Sequence, residues 1–223
     1  MRKILYVSIL AFCLFAFIAD RKIKVVFFGD SITELAVEPG GYIRKIDSLS
    51  TSEHLNSQYD FVGAGVSGNK IYDLYLRIKE DVISKKPDIV VIYIGVNDVW
   101  HKQLAGTGTD PDKFVGFYRA IIKTLRENGA KVMICTPAVI GEKRDSSNEQ
   151  DGDLNSYSQL IRDLAKELHA PVVDLRTIFL DYEKLNNPDN VESGILTRDR
   201  VHLNGKGNLL VAAKLWEGIK QLK

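Results

Sequence analysis

Val25-Val26-Phe27-Phe28-Gly29-Asp30-Ser31-Ile32-Thr33 passes from an apolar, β-prone run into a small polar turn. An apolar run without polar alternation predicts a strand buried on both faces, as in a parallel sheet. The turn places Ser31 at the carboxyl end of that strand, the edge at which open α/β sheets bind ligands. Taken alone, Asp30 and Ser31 read equally well as a cap on the segment that follows. What separates the two readings is whether the rest of the chain supplies partners for a serine hydroxyl.

The chain after this stretch alternates strand and helix. Gly40-Gly41 opens a helix around Tyr42 to Leu49, and Tyr59 to Val62 reads as a short second strand. Ile71, Leu74, Tyr75, Ile78 and Val82 keep the helical spacing of one buried stripe, predicting a helix over Lys70 to Lys85 that Pro87 stops. Ile89 to Ile94 is a continuous apolar run too short for a helix, and therefore a central strand. Asp110-Pro111 is a helix-start signal, a capping carboxylate followed by proline at the first helical position, and the helix it opens ends near Asn128-Gly129. Val132 to Cys135 is a fourth strand, and polar Gly141 to Asp153 reads as an exposed loop. Leu154 to Leu168 is a further helix, Val172-Val173 a fifth strand, and Leu209, Ala213 and Trp216 mark a closing helix. The alternation predicts an α/β fold with a parallel sheet of about five strands, right-handed crossovers and helices on both faces.

With 223 residues the chain suits one domain with a sizeable core. Its 30 basic and 29 acidic residues nearly balance, without a basic run, so the electrostatic footprint of a nucleic-acid binder is missing. Arg2 and Lys3 precede an uncharged apolar run, Ile4 to Ala19, in the layout of an export signal. The run is shorter than the roughly 20 residues a spanning helix needs, which favours a cleaved signal over a permanent anchor. Phe17 spoils the small-x-small cleavage pattern before Ala19, so an uncleaved anchor stays open. The expected organisation is a signal peptide or membrane anchor over 1–19 and one domain over 20–223, exported to the periplasm or medium. Loss of the segment removes Arg2, Lys3 and Cys13, moves the formal charge from +1 to −1 and leaves Cys135 without an intrachain partner. Cys135 lies in an apolar strand and reads as an inert core residue.

Four short stretches, each just after a strand or just before the last helix, carry polar groups suited to acyl transfer. Ser31 is the first. Gly68 follows the second strand, where a glycine lets backbone N–H approach a ligand. Asn97 follows the third strand, where its amide could donate to a developing oxyanion. In Asp199-Arg200-Val201-His202 the spacing lets a carboxylate orient an imidazole. Together they supply nucleophile, oxyanion donors, base and orienting acid. Each has a bland reading as a turn, cap or solvated loop, but all four fall in order at one sheet edge.

Gly29-Asp30-Ser31-Ile32-Thr33, Val66-Ser67-Gly68, Gly95-Val96-Asn97-Asp98 and Asp199-Arg200-Val201-His202-Leu203-Asn204 resemble, in order, the four motifs of the SGNH hydrolases, also called GDSL-type esterases and lipases. The resemblance covers nearly the whole chain after the N-terminal segment. It implies a flavodoxin-like three-layer α/β/α fold, with Ser31 as nucleophile, His202 as base and Asp199 as its partner. It also implies an oxyanion hole built from the Ser31 and Gly68 N–H groups and the Asn97 side chain. Ile32 stands where the family name has leucine, an apolar exchange. No cofactor is required, and no set of His, Cys or carboxylate residues has metal-ligand spacing.

Two competing motifs are weaker. Gly63-Ala64-Gly65-Val66-Ser67-Gly68 has dinucleotide-binding spacing, but the acidic residue expected at the end of the next strand is missing, Asp88 lying at its beginning. Gly65-Val66-Ser67-Gly68-Asn69 approaches a nucleophile elbow, with Asn69 in the last glycine's place. His54 and His169 read as solvated, whereas His101 lies close enough after Asn97 to reach the pocket. Asp30 and His101 are the additional candidates for touching substrate. The loops Leu35 to Gly41, Trp100 to Asp110 and Gly141 to Asp153 are polar and modest, favouring acetyl esters of carbohydrates or small alcohols over long acyl chains. Lysophospholipid or thioester hydrolysis is the alternative within the class. A carbohydrate-binding relative without turnover is the alternative outside it.

Overall fold

The computed structural model describes residues 21–223, so the segment expected to direct export, 1–19, lies outside the described residues. Five parallel strands, β1 (Ile23–Gly29), β2 (Tyr59–Gly65), β3 (Ile89–Tyr93), β4 (Lys131–Cys135) and β5 (Val172–Val173), form one sheet in the order β2-β1-β3-β4-β5. This is the flavodoxin-like order, in which the chain reverses direction across the sheet beside β1. Val25 to Phe28 and all of β3 are buried, as strands covered on both faces must be. Each such aliphatic or aromatic side chain contributes about 1.5–3 kcal/mol by leaving water.

Helices α1 (Ser31–Glu34), α2 (Tyr42–Ser52), α3 (Ile71–Asp81), α4 (Val96–Ala105), α5 (Pro111–Glu127), α6 (Asp151–Glu167), α7 (Leu175–Asn186) and α8 (Gly205–Gln221) complete the described fold. Alternation along β1 assigns its residues to the two layers. Phe27 meets Tyr42 of α2 edge-on at 5.8 Å, on the layer where α2 packs against α8. Trp216 of α8 closes that layer edge-on against Tyr59 at 5.1 Å. Phe28 faces the opposite layer, where α3 packs on α5 and α5 on α6. Among the described residues no helix is long and apolar enough to cross a membrane.

Register decides where the strands stop. Gly29 stands opposite both Gly65 and Tyr93, and Tyr93 opposite Cys135, so four strands end level at one edge. A side chain at Gly65 would collide there with the α1 backbone, 2.0 Å from the Glu34 nitrogen.

Several boundaries differ from the sequence expectation. The helix expected over Lys70 to Lys85 ends at Asp81, and a 3-10 turn over Ile83–Lys85 follows. The Asp110 carboxylate does not cap α5. It binds Lys102 Nζ at 3.0 Å and lies 3.9 Å from Lys113 Nζ, two ammonium groups that outcompete a neutral backbone N–H. Trp100 to Asp110, read as loop, is helical through Ala105. In the expected loop over Gly141 to Asp153, Gly141 and Glu142 are buried and α6 already begins at Asp151.

Candidate active site

Ser31 is the first residue of α1, directly after β1. Asp30 caps that helix, its Oδ1 accepting the Ile32 N–H at 3.0 Å. Asp30 is 2% exposed, which leaves its carboxylate no face for substrate and removes it from the substrate-binding candidates. Burial pushes it up to about 7.

Ser31 Oγ lies 2.9 Å from His202 Nε2, and His202 Nδ1 lies 2.8 Å from Asp199 Oδ2. Donation of Nδ1–H to the carboxylate leaves Nε2 with its lone pair toward the serine hydroxyl. Asp199 Oδ1 also accepts the backbone N–H groups of His202 at 2.7 Å and Val201 at 3.2 Å. Partial burial opposes ionisation of Asp199, but these hydrogen bonds outweigh it and hold the carboxyl below its usual range. These bonds thus favour the anionic form of Asp199.

The segment presenting this pair is fixed from below. The Arg198 N–H donates to the His202 carbonyl at 2.8 Å, and the Gly141 N–H donates to the Arg200 carbonyl at 2.8 Å. The fully buried Glu142 carboxylate accepts three successive backbone N–H groups, from Ile195 at 2.9 Å, Leu196 at 2.6 Å and Thr197 at 2.7 Å. Asn204 then caps α8 by accepting from the Lys206 and Gly207 N–H groups.

The residues expected to donate to an oxyanion lie on the segments that follow β1, β2 and β3 at the same sheet edge. As the first helical residue, Ser31 has an N–H with no intrahelical acceptor. Gly68 sits in the β2–α3 turn with φ +76°, a left-handed conformation that glycine adopts without strain. Asn97, 3% exposed, donates one amide hydrogen to the Asn69 carbonyl at 3.0 Å. An amide carries two such hydrogens, so the second stays available. The structure thus gathers Ser31, Gly68, Asn97, Asp199 and His202 at one edge of the sheet.

His101 packs beside the turn, its Cε1 3.9 Å from where a side chain on Gly68 would begin. Burial and then the Lys70 charge lower its affinity for a proton. Ser67 is exposed and hydrogen-bonds Glu34 through both its N–H and its hydroxyl, with no histidine partner. His54 is exposed, and Cys135 is fully buried with its thiol pushed up by burial.

Sequence reasoning missed the residues that brace the site: Glu34, Asn69, Arg77 and Glu142. Only Glu142 carried a signal, as a lone carboxylate closing the apolar run Ala138-Val139-Ile140-Gly141.

The sequence profile of the GDSL-like lipase/acylhydrolase family matches residues 27–210. A crystal structure of the acetyl xylan esterase AlAXEase superposes with a TM-score of 0.87 at 56% identity, covering 88% of this chain and 100% of that one. An acetylxylan esterase from Geobacillus stearothermophilus is 28% identical over 207 residues, 85% of this chain and 90% of its own length. An isoamyl acetate-hydrolyzing esterase 1 homolog from Bos taurus is 26% identical over 209 residues, 89% of this chain and 82% of its own length.

Proposed function

The chain belongs to the GDSL-like lipase/acylhydrolase family, and from that premise we propose that it removes acetyl groups from xylan-type carbohydrates through Ser31. The observation that carries this reading is the continuous chain from Ser31 Oγ through His202 to Asp199, at 2.9 and 2.8 Å, beside a row of N–H donors. His202 Nε2 takes the hydroxyl proton as Ser31 Oγ attacks the ester carbonyl. The negative charge that develops on the carbonyl oxygen is met by the Ser31 and Gly68 N–H groups and the free hydrogen of the Asn97 amide. As the tetrahedral intermediate collapses, His202 returns the proton to the departing sugar hydroxyl and the acetyl group stays on Ser31. Water, deprotonated by the same imidazole, then releases acetate and restores the serine.

A sugar as the alcohol part is supported by a cavity of about 390 Å³ whose lining includes Ile32 and Leu203, the chain neighbours of Ser31 and His202. Ile32 and Leu35 offer it an apolar wall for a pyranose face, while Glu38, Arg198 and Asn208 offer hydroxyl partners. The names of the AlAXEase and Geobacillus relatives point the same way. The Arg2-Lys3 pair and the apolar run Ile4 to Ala19 support an exported enzyme, processed or anchored through 1–19, which N-terminal sequencing of the mature protein tests.

The experiment is acetate release from acetylated xylo-oligosaccharides, alongside p-nitrophenyl acetate and p-nitrophenyl palmitate, with Ser31→Ala as control. Turnover of the oligosaccharide and the acetate ester supports the reading. Preference for palmitate would move the enzyme to long-chain or lysophospholipid esters, and oligosaccharide binding without turnover would make it a binding protein.

A further inference from the structure

We propose that Arg77 is a positioning residue that fixes the oxyanion donors, an inference that rests on the esterase reading of the site. Arg77 projects from α3 and is only 17% exposed at the side chain. Its guanidinium reaches three separate segments. Nε donates to Asn69 Oδ1 at 2.7 Å, while Nη2 donates to the Gly29 carbonyl at 2.7 Å and to the Ala64 carbonyl at 3.0 Å. Nη1 is held by Asp81 at 2.7 Å, and the group lies over the Phe28 ring, 4.6 Å from its centre.

These contacts converge on the donors themselves. Gly29 is the last residue of β1 before Asp30 and Ser31, so its carbonyl fixes where the Ser31 N–H begins. Ala64 lies at the end of β2, at the entry to the turn that carries Gly68. Asn69 follows Gly68 directly, and its backbone carbonyl receives the Asn97 amide at 3.0 Å. One planar cation therefore ties together the two strand ends and the turn from which the Ser31 and Gly68 donors project, and that turn in its own right receives the Asn97 amide from α4. On the far side of the turn, Glu34 Oε2 accepts the Ser67 N–H at 2.7 Å, so the turn is clamped from both sides. The fork geometry matters: a lysine would place one ammonium where the guanidinium spans several acceptors in fixed directions.

An oxyanion donor is effective only when it is already aimed at the position the charge will occupy. Loss of the clamp should therefore cost transition-state stabilisation and leave ground-state binding nearly intact. Arg77→Ala should lower kcat on p-nitrophenyl acetate about 10- to 100-fold with KM within about threefold, and Arg77→Lys should restore little of it. Asn69→Ala removes the contact between clamp and turn while leaving the guanidinium its other partners, and should lower kcat about 5- to 20-fold. In an Asn97→Ala background, the Asn69→Ala step should shrink to under about threefold, because residues acting through one another are not additive.

Fluorophosphonate labelling of Ser31 supplies a readout independent of the ester chosen, and its rate should fall in parallel with kcat. If Arg77→Ala does not fold, the Asn69 and Asn97 cycle decides alone. A folded Arg77→Ala enzyme with wild-type kcat, or equal Asn69→Ala losses in both Asn97 backgrounds, would overturn the inference. Such a result in an enzyme whose Ser31→Ala variant is dead leaves the esterase reading standing. A wild-type protein without ester turnover or labelling would instead remove that reading.

Discussion

At Asn97 one amide hydrogen binds the Asn69 carbonyl and sets the orientation, and the proposed mechanism gives the other to the developing oxyanion. Asn97→Ala should lower kcat about 10²- to 10³-fold with a smaller effect on KM, as loss of one oxyanion donor does elsewhere. Steady-state kinetics on a short-chain ester checks it, and an unchanged kcat would return Asn97 to a structural role. Arg200 allows a prediction about stability. It carries φ +81° in the middle of the Asp199 to His202 turn, a left-handed conformation that costs a non-glycine residue about 1–2 kcal/mol. Arg200→Gly should offset its gain in unfolded-chain freedom by relieving that strain, so Tm should change little, whereas Arg200→Val should lower it. The Ser31, Asp199 and His202 positions were legible in the sequence because each follows a recognisable strand or precedes a recognisable helix at short spacing. Arg77 was not, because a charged residue on a helix reads as part of the solvated face, and nothing in a one-dimensional pattern reveals three carbonyl and amide oxygens waiting for it.

At the scale of elements, the five strands follow from their apolar runs, and the helices that were missed share a physical cause. Of the buried residues on α7, Leu175, Arg176, Phe179 and Glu183, two are ionisable, and α4 buries Asn97 and Asp98 between Val96 and Val99. Polar side chains on the inner face erase the apolar stripe by which a helix is recognised. In α7 the buried charge is compensated locally: Arg176 binds Asp151 at 2.6 Å, Asn155 at 2.7 Å and the Ala138 carbonyl at 3.1 Å. The Glu142 segment is the same kind of device, a buried carboxylate that uses three backbone N–H groups to hold the irregular stretch leading into Asp199. Glu142→Gln replaces one accepting oxygen with a donor facing N–H groups. It should destabilise the fold by about 1–3 kcal/mol, the cost of leaving such a buried group unsatisfied, as read by urea denaturation. Unaltered stability would mean that the segment is held by Asn204 and Gly141 without it.

Across the whole molecule, stability and activity should respond to pH in opposite directions. On the proposed mechanism His202 must accept the Ser31 proton, so activity should rise out of acid. Stability depends instead on carboxyl groups that the fold keeps away from water. Burial raises Asp98 to about 6 and Asp30 to about 7. Glu183 is raised to about 8, first by burial and then by the charge of Glu142, with Asp151 adding to the effect and Arg176 opposing it. Its two carboxyl oxygens have no hydrogen-bond partner, which a carboxylate could not sustain but a neutral acid can. The direction of the linkage follows from proton counts. Above about pH 4.5 the unfolded chain has released protons that the folded chain still holds, so stability falls as pH climbs toward the folded values. Tm should therefore decline from about pH 5, most steeply below about pH 6 where all three folded carboxyls still hold protons the unfolded chain has lost, and should level off once Glu183 ionises near pH 8. Glu183→Gln removes that proton from the count while keeping the side chain's shape, and should flatten the upper part of the curve. Thermal unfolding of both proteins across that range is the measurement. Parallel curves would show that Glu183 is not held neutral by the fold, and the slope would then have to be sought in Asp30 and Asp98 beneath the active serine.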